Sequence, residues 1–194
     1  MSQNKTYYLK NMLSNSCIQL IQLKLSLLKD VSVNQVRIGE VNLNFDHSII
    51  KEQTIIKELR NIGFEPILEV DQLLTEKIKQ AAVELIFYSY NTNSLIRNSD
   101  YISEKLQLPY DKLSKVFKKH TKSTLEKYII LLKIEKAKEM LTHGEFTVSE
   151  ISFMLGYSSV HYLSNQFKKT TGITISKFKE NPNKYRVPIE NLLL

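Results

Sequence analysis

Four lysines stand in two pairs, Lys118-Lys119 and Lys168-Lys169, fifty residues apart. Each pair sits inside a copy of one segment. Leu113–Thr124 reads LSKVFKKHTKST and Leu163–Thr174 reads LSNQFKKTTGIT, with seven of the twelve positions identical at a fixed offset. Paired ammonium groups repeated in this way suit a partner carrying regularly spaced negative charge. Catalytic chemistry has no comparable footing. The chain holds no nucleophile with a neighbouring base, no glycine-rich phosphate loop and no paired carboxylates. Its four histidines, His47, His120, His143 and His161, do not share a metal-ligand spacing. The expectation is a protein that is not an enzyme and uses no cofactor or metal.

Charge placement reinforces the reading. The net charge is +7. Residues 1–91 contain ten Lys+Arg and ten Asp+Glu, whereas residues 92–194 contain seventeen against ten, so the whole excess lies in the C-terminal half. A basic half joined to a neutral half suggests one module for a polyanion and a second module for another task. The single cysteine excludes an internal disulfide framework and fits a reducing, cytoplasmic setting. No apolar run reaches the length of a membrane span, and Met1–Lys10 does not resemble a signal peptide.

Hydrophobic periodicity predicts the elements that must position the lysines. Residues 6–12 read as a short strand and 16–30 as a helix with Ser16 as its N-cap. Residues 31–45 place Val36, Ile38, Val41, Leu43 and Phe45 on two strands around a turn at Gly39-Glu40. Residues 48–63 predict a second helix ended by Gly63, and 64–70 a last strand in which Pro66 implies an edge or a bulge. The order β-α-β-β-α-β predicts a ferredoxin-like α+β module over 1–70. Residues 71–194 read as all-α, beginning with a long helix over 71–90 and a polar break at 91–94.

Each copy of the repeat is preceded by a short helix with an N-capping Ser or Thr, SDYISEKLQL (99–108) and TVSEISFMLGY (147–157), and by a tight corner, QLPY or LGYSS. Helix, corner and second helix form a helix-turn-helix unit, here expected at about 99–120 and again at about 147–170. A continuous helix over about 123–143 joins them. At ~1.5 Å per residue it spans roughly 30 Å, close to the ~34 Å turn of B-DNA.

From about Glu76 to Glu180 the chain resembles the C-terminal DNA-binding domain of AraC/XylS-type transcriptional regulators. The resemblance is carried by LPYDKLSKVFKKHTKST, by KIEKAKEML and above all by VSEISFMLGYSSVHYLSNQFKKTTGITISKFK. Within the last segment the family's motif falls on Ile151-Ser152, Gly156-Tyr157, His161 to Asn165, Phe167-Lys168-Lys169, Gly172 to Ile175 and Phe178-Lys179. Four positions depart from it. Ser152 stands for Ala, Ile175 for Pro, Asn165 for Arg, and Lys122 for the Gly that often follows the first recognition helix.

That resemblance implies a sequence-specific transcription regulator whose partner is double-stranded DNA, with RNA polymerase as a further candidate partner. By position it assigns groove-facing roles to Asp111, Ser114 and Lys115 in the first unit and to Val160, His161, Ser164 and Asn165 in the second. The side chains are chemically suited: Lys115 to guanine, Asn165 to adenine, Val160 to a thymine methyl. Lys118, Lys119, Lys168 and Lys169 are suited to phosphates, which fix register without reading sequence. Leu113, Val116, Phe117, Leu163 and Phe167 recur at helical spacing and are expected in the core.

The front module is read as a sensing, partner-contact or homodimerisation unit. It also resembles heavy-metal-associated ferredoxin-like domains at two residues, Met12 and Cys17, with Ser14 where that family has its first cysteine. Soft-metal binding normally needs two thiolates. A metal carrier and a protein- or RNA-binding helical adaptor are the alternatives.

Overall fold

The computed structural model describes residues 2–88 and 97–193. The chain divides into two compact units, Met1–Gln80 and Ala81–Leu194.

The first unit is built on a three-stranded antiparallel sheet of β1 (Ser2–Tyr8), β2 (Val31–Arg37) and β3 (Glu40–Asp46), in the order β1-β3-β2. Strand β3 is central, and its Val41, Leu43 and Phe45 alternate inward. They pack with Ile21 and Leu25 of helix α1 (Asn15–Leu25) and with Ile55 and Leu59 of α2 (Glu52–Asn61). In β2 the pairing register shifts between Val33 and Gln35, which sets Asn34 as a bulge. The bulge explains why Val33 and Val36, three apart, both reach the core cluster.

The fourth strand of the ferredoxin-like arrangement is not formed. Residues 64–70 make one isolated bridge, Leu9 with Pro66, supported by Lys10 N–H to the Glu65 carbonyl at 2.9 Å and Ile67 N–H to the Tyr8 carbonyl at 2.7 Å. Pro66 supplies no N–H to extend the ladder, and although Phe64 and Ile67 are buried, Leu68 and Val70 are 94% and 83% exposed, so nothing apolar holds the chain beyond Ile67 on the sheet. The β1–β3–β2 order is retained without it. Two further expectations shift. Helix α1 is capped at Ser14, not Ser16, and without a side-chain hydrogen bond. Gly63 does end α2, at φ +90°, where Phe64 N–H returns to the Leu59 carbonyl and Gly63 N–H to that of Arg60.

Helix α3 (Val70–Val83) passes into a π-helical turn, Glu84–Tyr88. The sequence reading of a helix to residue 90 and a break at 91–94 falls partly outside the described residues. The second unit then continues through α4 (Asn98–Leu106), α5 (Tyr110–Thr121), α6 (Leu125–His143), α7 (Val148–Met154), α8 (Val160–Thr171) and α9 (Ile175–Glu180). Helix α6 is its axis and packs against α5, α7, α8 and α9. Thr124 and Gly144 close its two ends, the first by accepting the Lys127 N–H and the second at φ +75°.

Candidate nucleic-acid interface

Two helix pairs flank α6. In the first, α4 leads to α5 through Gln107, held at φ +52°, and Pro109, the residue before the first turn of α5. Helix α4 begins after Arg97, which offers no capping side chain, so the expected Ser or Thr cap is absent. In the second pair, Thr147 and Glu150 form a reciprocal capping box on α7. Gly156 turns the corner at φ +68°, and the Ser159 hydroxyl accepts the Tyr162 N–H at the start of α8.

The duplication runs well beyond the twelve residues visible in the sequence. The pattern of buried, half-buried and exposed side chains is the same at every position of 111–128 and 161–178. Leu113 and Phe117 are fully buried in one copy, as are Leu163 and Phe167 in the other. Val116 is only half-buried. Phe117 packs tilted against Tyr128 with ring centroids 5.4 Å apart, and Phe167 packs edge-on against Phe178 at 5.6 Å. Thr121 Oγ1 lies 2.8 Å from the Phe117 carbonyl oxygen, and Thr171 Oγ1 lies 2.8 Å from that of Phe167. Thr124 and Thr174 then cap the next helix in the same way. Short α9 thus repeats the opening turns of α6.

This shared scaffold presents two equivalent outer faces. Asp111, Lys115 and Lys118 are exposed on α5, as are Val160, His161, Asn165 and Lys168 on α8. Ser114 and Ser164 are half-buried at the edge of these faces. The Ser114 hydroxyl donates to Glu126 at 3.3 Å, and Asn165 Nδ2 lies 2.9 Å from His161 Nε2 one turn back. Lys118 and Lys119 close α5 and Lys168 and Lys169 close α8, where positive charge complements the helix dipole. Asp111 lies in the first turn of α5, where a negative charge is favoured for the same reason. The sequence reading passed over Lys112 and Tyr162, which occupy equivalent exposed positions in the two copies.

Two departures from the family motif carry structural costs. Lys122 holds φ +56° where its counterpart Gly172 holds +78°, and a Cβ is disfavoured there. Lys122→Gly is expected to raise unfolding stability by about 0.5–1 kcal/mol, read from the urea midpoint; a lower midpoint would count against the strain. Ser152 is 2% exposed, and its hydroxyl has no hydrogen-bond partner among the described residues. Ser152→Ala is therefore expected to add about 1–2 kcal/mol in the same measurement.

In the first unit, Met12 is fully buried in the core, which gives its thioether a packing role. Cys17 is half-buried, with Sγ 3.4 Å from the Ser14 hydroxyl. Among the described residues there is no cluster of three or more His, Cys, Asp or Glu placed to hold a metal, and no helix long and apolar enough to cross a membrane.

Residues 102–181 match the family model for a helix-turn-helix domain. Over 109 residues the chain is 29% identical to the Msm operon regulatory protein of Streptococcus mutans, covering 56% of this chain and 36% of that protein. Over 159 residues it is 23% identical to the Xylose operon regulatory protein of Escherichia coli K12, covering 79% of this chain and 41% of the relative. A 72-residue match at 29% identity, 37% of this chain and 26% of the other, is to the HTH-type transcriptional activator RhaS of Escherichia coli O139:H28. The matches thus span well under half the length of these relatives. Among solved structures, the C-terminal domain of AraT, a response regulator from Geobacillus stearothermophilus, is similar with a TM-score of 0.46 and 22% identity, over 59% of this chain and 90% of that one. An AraC-type DNA-binding domain-containing regulator from Chromobacterium violaceum gives 0.47 and 19%, over 55% and 93%.

Proposed function

We propose that the protein binds duplex DNA and regulates transcription in the manner of AraC/XylS-type regulators, through the helix-turn-helix domain matched at residues 102–181. The observation that carries the reading is the repeated outer face, formed by α5 and α8 on an identically buried scaffold. Two copies of one surface suit a ligand that itself repeats. The 19 residues of α6 extend ~28 Å, near the ~34 Å between successive major-groove segments on one side of B-DNA. In this proposal α5 reads one segment through Asp111, Ser114 and Lys115. Helix α8 reads the next through Val160, His161, Ser164 and Asn165. The lysine pairs hold phosphates and set the register, and the neutral front unit serves sensing, partner contact or dimerisation. The names of the relatives, all regulators of operons or transcription, support the same role.

The test is a salt titration of binding to a selected duplex, followed by fluorescence anisotropy on the full chain. With four lysines on phosphates, log Kobs is expected to fall against log[salt] with a slope of about −3.6, at ~0.9 per phosphate. The double substitution Lys168→Ala, Lys169→Ala is expected to reduce the slope magnitude by about 1.8 and to weaken all duplex sequences alike. RNA competing as well as the duplex would replace this reading with the adaptor alternative.

A further inference from the structure

The second unit contains a cleft of about 450 Å³ on the flank of α6, closed by the start of α5, the corner before α8 and Tyr162. Its floor is one face of α6, with Glu126, Ile130 and Lys133 at spacings of four and three. The seven-residue step from Glu126 to Lys133 puts its two charged ends ~10 Å apart along the helix.

Those ends are in opposite states. At one, Glu126 is engaged through Oε1, to which the Tyr110 hydroxyl donates at 2.8 Å and that of Ser114 at 3.3 Å. Burial alone would raise its pKa, but the hydrogen bonds it accepts from its own backbone N–H, Tyr110, Thr124 and Ser114 outweigh burial and hold it below the usual range. At the other end, the Lys133 ammonium lies 5.6 Å from the centre of the Tyr157 ring. Among the described residues no carboxylate lies within ion-pair distance of it, and burial lowers its pKa. Tyr157 lines the same cleft, and its hydroxyl is buried with no partner among the described residues. Burial, and next the neighbouring Tyr162, raise that phenol to about 12, so it remains a donor at neutral pH. The Tyr157 and Tyr162 rings stand 5.9 Å apart beside the isoleucine floor.

A half-buried cation without a counter-ion, an unused hydroxyl donor and an apolar bed together define what is missing: one anionic head on an apolar body. We propose that this cleft binds a small carboxylate with an aromatic or aliphatic body, its head on Lys133 and the Tyr157 hydroxyl and its body between Ile130 and the tyrosine rings. A cleft of this size and make-up lies within the range of small-molecule sites. The proposal stands independently of the DNA reading, since it needs only the second unit's fold.

The probe is 3-phenylpropionate, titrated by calorimetry and by amide chemical shifts against the full chain, with its neutral amide and inorganic phosphate run in parallel. Saturable binding of the acid is expected, with shifts centred on residues 126–133 and 156–162, and much weaker binding of the amide. Lys133→Met keeps the apolar stem and removes the charge; it is expected to weaken binding about tenfold or more, with a melting temperature equal to or above that of the parent. Tyr157→Phe, which keeps the ring, is expected to weaken it severalfold, and it decides the question if the Met variant does not fold. The proposal is overturned if the acid does not saturate, or binds both variants as tightly as the parent. It is equally overturned if inorganic phosphate binds as well as the acid, which would assign the cleft to backbone phosphates of a nucleic acid.

Discussion

Glu135→Ala is expected to destabilise the second unit by about 3 kcal/mol, at the lower end of the 3–5 kcal/mol that follows removal of one partner from a buried ion pair. Glu135 and Lys138 lie on the inward side of α6 with side chains only 6% and 5% exposed and 2.5 Å apart. Neither is satisfied by the other alone. Lys138 Nζ also donates to the Tyr185 carbonyl at 2.7 Å, and the Val187 N–H donates to the second Glu135 oxygen at 3.2 Å. The pair therefore fastens the segment after α9 to the central helix. Truncating Glu135 leaves a buried ammonium with one acceptor and a backbone N–H with none. The remaining Tyr185 contact is the reason to expect the lower end of the range. Lys138→Met is expected to cost a similar amount, because Glu135 then keeps its charge in the same dry site. Their combination should cost less than the sum by about 1–3 kcal/mol, since the double variant buries no lone charge. Urea unfolding of the four proteins measures this directly. Additivity within about 0.5 kcal/mol would mean that the two charges do not depend on one another.

That ion pair also marks where sequence reasoning stops. Five of the nine residues of KIEKAKEML are charged, yet Ile134, Glu135, Ala137, Lys138, Met140 and Leu141 are all buried. A helix enclosed on more than one side loses the single apolar stripe by which an amphipathic helix is recognised. The repeat was legible for the opposite reason. Leu and Phe at i and i+4 must face the core in both copies, and the Thr that closes each helix uses bonds local to the chain, so few residues specify the whole unit. In the front unit, period-two alternation in β3 shows which face is buried. It could not show the bulge at Asn34, because one inserted residue reverses the alternation without changing composition. The fourth strand was overread from apolar content alone. Leu68 and Val70 have the residue types of a strand, but past Pro66 neither pairing nor burial holds them. Of the candidate interface, the positions on exposed faces followed from periodicity. The Asn165–His161 and Ser114–Glu126 hydrogen bonds did not, because both depend on rotamers and, for Glu126, on the start of a different helix.

Substitution at a polar position that differs between the copies is expected to change sequence preference. Lys115 and Asn165 stand at the same place on the same scaffold, exposed and one turn beyond Asp111 and His161. If the proposed docking is right, a substitution at either should change preference at one segment of the site and leave the other untouched. Lys115→Ala is expected to lose about 1–3 kcal/mol of discrimination where Lys115 donates to guanine, and Asn165→Ala a similar amount where an amide pairs with adenine. The two losses should add, because the residues read segments about one helical turn apart and share no partner. Asn165 starts at a disadvantage, since His161 already engages its amide at 2.9 Å and that bond must be exchanged for one to a base. His161→Ala frees the Asn165 amide but also removes the contact proposed for His161, so it is expected to change the preference at the α8 segment and leave the α5 segment unchanged. Selection of bound sequences from a random duplex pool, run on the parent, these three variants and the Lys115→Ala, Asn165→Ala double variant, reads all four outcomes at once. Uniform weakening with an unchanged preferred sequence would reassign Lys115 and Asn165 to the phosphate backbone and place sequence reading elsewhere on α5 and α8, with Lys112 and Tyr162 the next positions to test.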